Sequence, residues 1–407
     1  MTKEKSTVPR LRFPGFTDAW KQRKLGEVAT FAKGNGYSKK DLVIEGSPII
    51  LYGRLYTKYE TVISEVDTFV SVEDNKNSVV YSEGGEVLVP ASGESSLDIA
   101  RASVVAKKGI ILGGDINIIR LHSEIFPVFL ALTISNGKQQ KGLSKRAQGK
   151  SVVHLHNSDL KKVDLDFPTH PEQEAIGSFF SDLDQLITLH QRKLDDVKEL
   201  KKALLQKMFP KGNGNDFPEL RFPEFTDAWK QRKLGEYFVE RLECSAEGEL
   251  LSVTISDGVR RFSELGRKDN SSEDKTKYKV LKQGDIVYNS MRMWQGASGY
   301  SIYDGIVSPA YTVLIPTYLS YALFFSYLFK RSSSLQIFQV NSQGLTSDTW
   351  NLKYKPFSNI VFPAPTLPEQ EAIGSFFSDL DQLITLHQRQ LDHLKLLKKA
   401  LLQQMFI

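Results

Sequence analysis

One stretch of 22 residues occurs twice in the chain and decides the fold: residues 171–192 read PEQEAIGSFFSDLDQLITLHQR, and residues 368–389 repeat them letter for letter. The match extends to residues 209 and 406, with 34 of 39 positions identical. A second stretch, LRFPGFTDAWKQRKLGE at residues 11–27, returns at residues 220–236 with one change in 17 positions. An internal repeat of this kind indicates that the 407-residue chain uses one design twice.

The centres between these repeats, residues 28–170 and 237–367, share little beyond two landmarks. Gln148-Gly149 aligns with Gln343-Gly344, and Phe167-Pro168 aligns with Phe362-Pro363. Uniform drift after a duplication cannot leave flanks nearly identical and centres unrecognisable. The pattern therefore predicts flanks that perform one task twice and centres that perform two different tasks of one kind. The alternative is a duplicated structural protein with relaxed centres.

The repeated 171–209 segment predicts a long helix of roughly 55 Å, at ~1.5 Å per residue. Thr169 followed by Glu172 has the spacing of a capping box at its start. Apolar residues then recur at 3–4 spacing over five heptads, which is typical of a coiled coil, and the simplest partner is the other copy, antiparallel. The predicted seam of the helix pair consists of Ile176, Phe180, Leu183, Ile187, His190 and Leu194, with Ile373, Phe377, Leu380, Ile384, His387 and Leu391.

Composition limits the possible classes of protein. The chain has 53 basic and 48 acidic residues, a net charge of +5, which permits a polyanionic partner without requiring one. A single cysteine, Cys244, excludes an intrachain disulfide and a multi-cysteine zinc site and fits a reducing, cytoplasmic setting. No run approaches the ~18 apolar residues of a membrane span, and we expect no secretory signal.

The centres contain short β-prone runs separated by turns, at residues 47–52, 78–81, 86–89, 115–121, 286–289 and 310–315. Irregular loops after the runs at 86–89 and 286–289 would present side chains to a ligand. Basic, amide and aromatic side chains suit phosphates and base edges. The candidate DNA contacts are Lys33, Asn35, Tyr37, Lys39, Tyr52, Arg54, Tyr56, Ser92, Arg101, Lys145, Arg146 and Lys150 in the first centre, and Arg260, Arg261, Asn289, Arg292, Trp294, Gln295, Gln343 and Thr346 in the second.

Motifs for catalysis are absent from the sequence. Gln148-Gly149-Lys150-Ser151 resembles the end of a phosphate-binding loop, but the glycine required five residues before Gly149 is Ser144. His154 and His156 alternate on one face of a predicted strand without a third metal ligand nearby. We therefore predict no catalytic residue, no metal site and no cofactor in this chain.

The duplicated order of these motifs resembles the specificity (S) subunits of type I restriction–modification enzymes. Its carriers are Pro171–Ile176 and Pro368–Ile373 at the heads of the long helices, and the segments 16–27 and 225–236 that open each half. Gln148-Gly149 and Gln343-Gly344 also look like landmarks of this family.

The resemblance implies an α+β fold in which two mixed β/α target-recognition domains are separated by two long antiparallel coiled-coil helices about a pseudo-two-fold axis. The implied segments are a first recognition domain (1–170), a first spacer helix (171–210), a linker with the second recognition domain (211–367) and a second spacer helix (368–407). Each domain would read one half of a split double-stranded DNA site, and the helices would set the gap.

The resemblance also implies partners. Two methyltransferase (M) subunits would carry S-adenosylmethionine, methylate adenine at N6 and dock on the repeated segments. Two restriction (R) subunits would use ATP and Mg²⁺ for translocation and cleavage. The sequence also permits two alternatives: a stand-alone bipartite DNA-binding regulator, and a coiled-coil adaptor with no nucleic-acid role.

His190 and His387 occupy polar seam positions, which set register at some cost in stability, or alternatively act as a pH switch. If they set register, replacing both with leucine raises the melting temperature and preserves function. Thermal denaturation and an activity assay at matched pH test this, and loss of a pH-dependent activity would favour the switch.

Overall fold

The computed structural model describes residues 8–72, 79–149, 152–211, 217–269, 271–347 and 349–406. Lys150, Ser78 and most of the linker at 210–216 lie outside these residues. Contacts divide the chain into two units. The first unit is Met1–Arg192 with Gln388–Ile407, and the second is Lys193–His387. Each unit therefore contains one centre, the beginning of one long helix and the end of the other.

The first half of the chain contains thirteen strands and seven α-helices among the residues described. The strands are β1 (Lys21–Lys24), β2 (Ala29–Lys33), β3 (Leu42–Val43), β4 (Ser47–Ile50), β5 (Val62–Ile63), β6 (Phe69–Val70), β7 (Val87–Pro90), β8 (Ser92–Gly93), β9 (Ser103–Val105), β10 (Ile111–Leu112), β11 (Ile116–Leu121), β12 (Val153–His154) and β13 (Asp164–Phe167). The helices are α1 (Leu25–Val28), α2 (Arg54–Thr57), α3 (Ser96–Ile99), α4 (Pro127–Ile134), α5 (Gly137–Arg146), α6 (Asn157–Lys161) and α7 (His170–Lys207), with a 3₁₀ turn at Lys39–Asp41.

The second half repeats this order with fewer strands. Its strands are β14 (Lys230–Lys233), β15 (Phe238–Glu240), β16 (Leu251–Thr254), β17 (Gly258–Arg261), β18 (Lys279–Leu281), β19 (Ile286–Asn289), β20 (Ser298–Tyr300), β21 (Gly305–Val307), β22 (Tyr311–Pro316) and β23 (Val361–Ala364). Its helices are α8 (Leu234–Tyr237), α9 (Ala322–Phe329), α10 (Ser332–Asn341), α11 (Tyr354–Ser358) and α12 (Leu367–Met405), with 3₁₀ turns at Phe262–Leu265 and Met293–Gln295.

Both units are built around the same sheet core. The central sheet of the first unit has the order β2-β11-β7-β9-β5, and that of the second unit has the order β15-β22-β19-β20. In both, the strand after the opening repeat pairs antiparallel with a six-residue strand, which pairs in turn with the strand leading to the irregular loop. The pairs β1–β13 and β14–β23 close each unit at the start of its long helix. The first unit adds the sheet β10-β4-β6-β3.

Five of the six strand predictions are confirmed within two residues, and the run at 78–81 forms no strand among the described residues. Residues 286–289 form β19 as predicted, and the runs at 86–89, 115–121 and 310–315 form β7, β11 and β22. The run at 47–52 ends at Ile50, and of the run at 78–81 only Tyr81 forms a bridge, to Ile111. The prediction that His154 and His156 share a strand face is wrong, because β12 ends at His154 and His156 is the N-cap of α6.

The two long helices are confirmed, and they run antiparallel within each unit. Helices α7 and α12 contain 38 and 39 residues. In the first unit Phe180 of α7 packs against Phe406, and Asp184 forms an ion pair with Lys398. In the second unit Phe377 stacks on Phe209, and Lys201 lies 2.5 Å from Asp381. The two ion pairs are equivalent positions of the repeat.

Each of these ion pairs also holds a side chain of the adjoining centre. Thr61 donates a hydrogen bond of 2.9 Å to Asp184, and the hydroxyl of Tyr327 donates one of 2.7 Å to Asp381. Burial raises the pKa of the Asp184 carboxyl, and Lys398 opposes that shift. Each pair thus joins both helices and one centre at a single point.

Most predicted seam residues are buried, which is consistent with their place between the helices. Buried are Ile176, Phe180, Leu183, Ile187, Leu194, Ile373, Phe377 and Leu391; half-buried are Leu380, Ile384, His190 and His387. Among the described residues no helix is both long and apolar enough to cross a membrane.

The repeated motifs contact one another at the start of each long helix. Arg12 of the opening repeat donates to both carboxylate oxygens of Glu172, at 2.7 and 2.5 Å, and the Glu172 side chain is 1 % exposed. Arg221 grips Glu369 in the same way, with both distances 2.7 Å. The capping-box prediction was that the Glu172 carboxylate accepts a hydrogen bond from the backbone N–H of Thr169. The carboxylate instead pairs with Arg12 of the opening repeat.

The neighbouring glutamine and glycine attach the helix to the centre. The Gln173 side chain accepts from the backbone of Phe126 and donates to the carbonyls of Glu124 and Pro168, and Gln370 makes the equivalent three bonds. A methyl group at Gly177 would lie 2.6 Å from the Phe126 ring, so only glycine permits this close approach.

Replacing Glu369 with alanine leaves Arg221 buried without its carboxylate and Trp229 without a hydrogen-bond acceptor. Because breaking a buried pair is costly, we expect the free energy of unfolding to fall by about 3 kcal/mol. Urea denaturation followed by circular dichroism measures this. The control is Glu371→Ala, at an exposed position two residues further along, where the change should stay below about 0.5 kcal/mol. Equal effects at the two positions would contradict the assignment.

Candidate nucleic-acid interface

A tight loop follows α5 in the first unit and begins at the predicted landmark Gln148-Gly149. Gln148 and His154 exchange two backbone hydrogen bonds, of 3.1 and 2.8 Å, which close the loop. Gly149 has φ +137°, and any side chain there would overlap the carbonyl oxygen of Val152. Because this backbone conformation favours glycine, the landmark glycine serves the loop's shape.

The irregular loop after β7 lies directly against this landmark loop. Strand β8 pairs with β12, so that Ser92 lies opposite His154, and the Ser92 hydroxyl is 3.0 Å from Nδ1 of His154. Ser144 of α5 donates to Ser96 at 2.8 Å, on the same side. The two loops that the sequence singled out separately therefore form one surface. It carries Lys145 and Arg146 at the end of α5.

The second unit builds the equivalent surface from different side chains. Gln343 exchanges two backbone hydrogen bonds with Asn351, and Gly344 has φ +150° with the carbonyl of Thr349 only 2.6 Å from a would-be methyl group. The backbone of Leu352 donates to Ser290 at 2.8 Å, which joins this loop to the one after β19.

Aromatic and amide groups occupy this second surface. Trp294 packs edge-on against Trp350 with ring centroids 5.2 Å apart, and the Trp294 indole donates to the carbonyl of Met291. Arg292 is exposed beside them. The amide oxygen of Gln295 is buried and has no hydrogen-bond partner among the described residues. It is therefore an acceptor that a donor from a ligand could satisfy.

The structure brings some candidates to these surfaces and leaves others elsewhere. Ser92, Lys145, Arg146, Asn289, Arg292, Trp294, Gln295, Gln343 and Thr346 belong to the paired loops or the elements that lead into them. Tyr52, Arg54, Tyr56 and Arg101 form a second group around α2, where Arg101 donates to the carbonyl of Tyr56 at 3.0 Å and Arg54 lies 3.2 Å from Asp67. Lys33, Asn35 and Lys39 are exposed near the end of β2.

Three candidates are engaged within the chain, one in the hydrophobic core and two in ion pairs. Tyr37 is 3 % exposed and packs in the core with Ile49 and Val70. Arg260 and Arg261 pair with Glu264 and Glu249, each at 3.3 Å, and Arg261 also stacks on Tyr303. Tyr37 therefore belongs to the core of the first unit.

The sequence analysis did not identify two residues of the second surface. It also did not identify the ion pairs Arg12–Glu172 and Arg221–Glu369, which we call the Arg–Glu clamps. Leu345 is fully exposed, and Trp350 covers Trp294. Both residues lie close to Gln343-Gly344 in the sequence, which could have identified them as candidates. The Arg12–Glu172 pair could have been suspected, because the opening segment and the head of the long helix are repeated together. No group of His, Cys, Asp or Glu that could hold a metal ion occurs among the described residues.

The two units share one scaffold, carry different polar loops and are attached to long paired helices. These features define a class of binding protein with two recognition surfaces of different chemistry. The sequence matches the profile of the type I restriction modification DNA specificity domain twice, at residues 17–199 and 228–396. The chain belongs to this family.

Similar proteins agree with this assignment. The type I restriction enzyme MjaVIII specificity subunit of Methanocaldococcus jannaschii is 22 % identical over 96 % of this chain and 92 % of its own length. The putative MjaX specificity subunit of the same organism is 22 % identical over 94 % of this chain and 92 % of its own length. The S subunit of a type I restriction–modification system from M. genitalium has a similar fold, with a TM-score of 0.60 at 16 % identity, over 98 % of this chain and 99 % of that one.

Proposed function

We propose that this chain selects the DNA sequence for a type I restriction–modification complex, and that each unit reads one half of a split site. The observation that carries the proposal is the pair of loop surfaces. The helix before the landmark ends in Lys145-Arg146 in one unit and in Val340-Asn341 in the other, and the first irregular loop carries Glu94 whereas the second carries Arg292. Equivalent positions with unlike side chains are suited to reading two unlike half-sites.

The side chains on these surfaces match the chemistry of base edges. Arginine can donate two hydrogen bonds to guanine, and glutamine can form a bidentate pair with adenine. Arg292 and Gln343 lie on loops that the packed centre and a constrained glycine hold in place. Lysines near them would contact phosphates, which position the protein without reading sequence.

The long helices would then set the distance between half-sites. Within each unit, the Asp–Lys pair and the Arg–Glu clamp fix the centre to the helices. A reader attached in this way cannot move along its helix without breaking these charge pairs. The gap would therefore follow the helix length.

The repeated helices also offer a surface that could dock two M subunits. Leu186 and Leu189 are 40 % and 46 % exposed, and their equivalents Leu383 and Leu386 are 38 % and 50 % exposed. The buried Glu172 and Gln173 are engaged within the chain, so the exposed leucines are the better docking candidates. In this proposal S-adenosylmethionine belongs to the M subunits, ATP and Mg²⁺ belong to two R subunits, and this chain supplies no catalytic group.

Co-expression with the M subunit of the same system tests the proposal. We expect a complex of two M subunits per chain, by mass measurement, and adenine methylation within one split sequence across the host genome. Tight binding of one contiguous site by the chain alone would instead support a stand-alone regulator. Absence of any DNA binding by the complex would support a coiled-coil adaptor.

Replacing Arg292 with alanine in that complex should relax recognition at one position of a single half-site. Loss of one bidentate base contact corresponds to about 5- to 150-fold in discrimination (~1–3 kcal/mol). Methylation mapping measures it. Arg331→Ala makes a poor control because Arg331 is partly buried; the matched control is the exposed Arg389→Ala on α12, which should leave both half-sites unchanged. Relaxation of both half-sites by Arg292→Ala would contradict separate readers.

Inserting one heptad into each long helix should lengthen the gap by about three base pairs, or abolish methylation, because seven residues add ~10 Å and DNA rises ~3.4 Å per pair. The control is a seven-residue insertion after Lys211 in the linker, which leaves both helices intact. Methylation mapping reports the gap. Continued methylation with the original gap would contradict the proposal that the long helices set the distance between half-sites.

A further inference from the structure

A basic groove of about 930 Å³ lies in the second unit, between the end of α7, the β16–β17 hairpin and α9. Six cations line it, opposed by the carboxylates of Asp257 and Asp381; the cations are Lys198, Lys201, Lys202, Arg260, Lys330 and Arg331. Asp381 is already paired with Lys201. Arg260 is likewise paired with Glu264. Lys198, Lys202, Lys330 and Arg331 therefore supply the positive charge of the groove, with Asp257 opposing them.

Two of these cations are partly buried and bind backbone carbonyls. Lys330 donates to the carbonyls of Ile255 and Gly296, at 2.8 and 2.5 Å. Arg331 donates to the carbonyl of Pro210 and lies over the ring of Phe209. Burial lowers the pKa of Lys330 to about 8, with Asp257 opposing, and burial also lowers the pKa of Arg331. An anion in the groove would favour the charged forms of both groups.

The first unit has a groove of about 800 Å³ along the corresponding stretch of α12, lined there by the start of α5 and by residues 8–10 in place of a hairpin. Its lining includes six cations and no carboxylate among the residues described; the cations are Arg10, Lys138, Lys141, Lys395, Lys398 and Lys399. The last three are the repeat equivalents of Lys198, Lys201 and Lys202. Lys398 is tied to Asp184 and Lys138 to Asp166, so Lys395, Lys399, Lys141 and Arg10 supply most of the exposed charge.

One helix connects each groove to the candidate reading loop of its unit. The first residues of α5 line the groove, and its last residues, Lys145 and Arg146, precede the Gln148-Gly149 loop. Helix α10 likewise starts at Ser332 beside the second groove and ends before Gln343. Each helix has ten residues, so groove and loop are separated by ~15 Å along its axis. A single DNA duplex can reach both.

We propose that the two grooves bind the phosphate backbone of DNA, on the side of each half-site that faces the long helices. The inference rests on the proposed function, since it places the duplex at the reading loops. Contacts to phosphate carry no sequence information, and they fix the register of the protein on the duplex. The grooves would thus contribute affinity at both half-sites, while the loops select bases.

The composition of the grooves favours DNA over an acidic segment of a partner protein. The groove residues that both units share from the repeat are the three lysines, Leu205 and Gln206, with their copies Leu402 and Gln403. The remaining linings differ: Tyr300 and Ile302 in one, Val8 and Pro9 in the other. A protein segment bound twice would need matching pockets for its side chains. The DNA backbone is the same at both half-sites and needs only the shared charge.

The test replaces the four exposed shared lysines in the full chain, as Lys198→Gln, Lys202→Gln, Lys395→Gln and Lys399→Gln, and measures DNA binding by the complex with M subunits. The probes are a duplex containing the mapped methylation site and an unrelated duplex of equal length, each titrated from low to high salt. The control is Lys193→Gln with Lys207→Gln, exposed lysines of α7 outside the groove, and it is matched in charge by the pair Lys198→Gln with Lys202→Gln alone.

We expect the fourfold variant to bind both duplexes about tenfold or more weakly at low salt, with their affinity ratio unchanged. Because each phosphate contact contributes about 0.9 to the slope of log K against log salt, that slope should fall by about 2 to 4. The control should stay within about twofold of wild type, and circular dichroism melting should show both variants folded.

Two outcomes would overturn the inference: wild-type affinity and salt slope in the fourfold variant, or loss of M-subunit association with unchanged DNA binding in the complexes that remain. The second outcome would assign the grooves to an acidic partner segment. If the wild-type complex itself shows no preference for the mapped duplex, the proposed function fails, and this is distinct from failure of the grooves.

Discussion

The buried ion pair between Arg12 and Glu172, with its copy between Arg221 and Glu369, is the interaction on which the rest of each unit depends. It joins the segment that opens a unit to the first turn of the long helix that leaves it. An acidic side chain is favourable at that end of a helix, and the arginine fork grips both of its oxygens. A pair this deeply buried contributes less to net stability than to the choice of one geometry, because desolvation offsets much of the attraction.

The clamp explains why the two repeats have to be kept together. Gln173 binds three backbone groups of the centre, and Gly177 lets the helix approach Phe126. Removing the Gln173 side chain leaves buried backbone groups without partners, and adding a side chain at Gly177 forces the helix away from Phe126. The repeated letters therefore specify an internal joint. The centre attached at that joint can change its loops without disturbing it.

The residues that the two halves share and those in which they differ lie in different parts of each unit. The helix lysines that are common to both halves face grooves in both units, while the loop side chains that differ lie at the far ends of α5 and α10. Common residues thus occupy positions suited to what is common in a ligand, and variable residues occupy positions suited to what varies. This arrangement is coherent with a protein that holds DNA in one manner and reads it in two.

Much of the architecture could be predicted from local patterns. The heptads of α7 and α12 predicted long antiparallel helices, because a continuous apolar stripe needs a partner. Alternating β-prone runs located β7, β11, β19 and β22 within two residues. The capping box at Thr169 failed because a local pattern cannot reveal that Glu172 has a stronger partner 160 residues away. Tyr37, expected to face DNA, packs in the core, because aromatic side chains serve either role.

The duplication, the helix pair, the positions of the main strands and the two loop landmarks can be inferred from the sequence, since each leaves a periodic or repeated signal along the chain. The folded chain is needed to show which loops meet, as Ser92 meets His154, and which lysines line a groove, as Lys198 and Lys330 do. These residues are distant in sequence, and their proximity follows from sheet pairing and buried ion pairs. No local pattern encodes such long-range contacts.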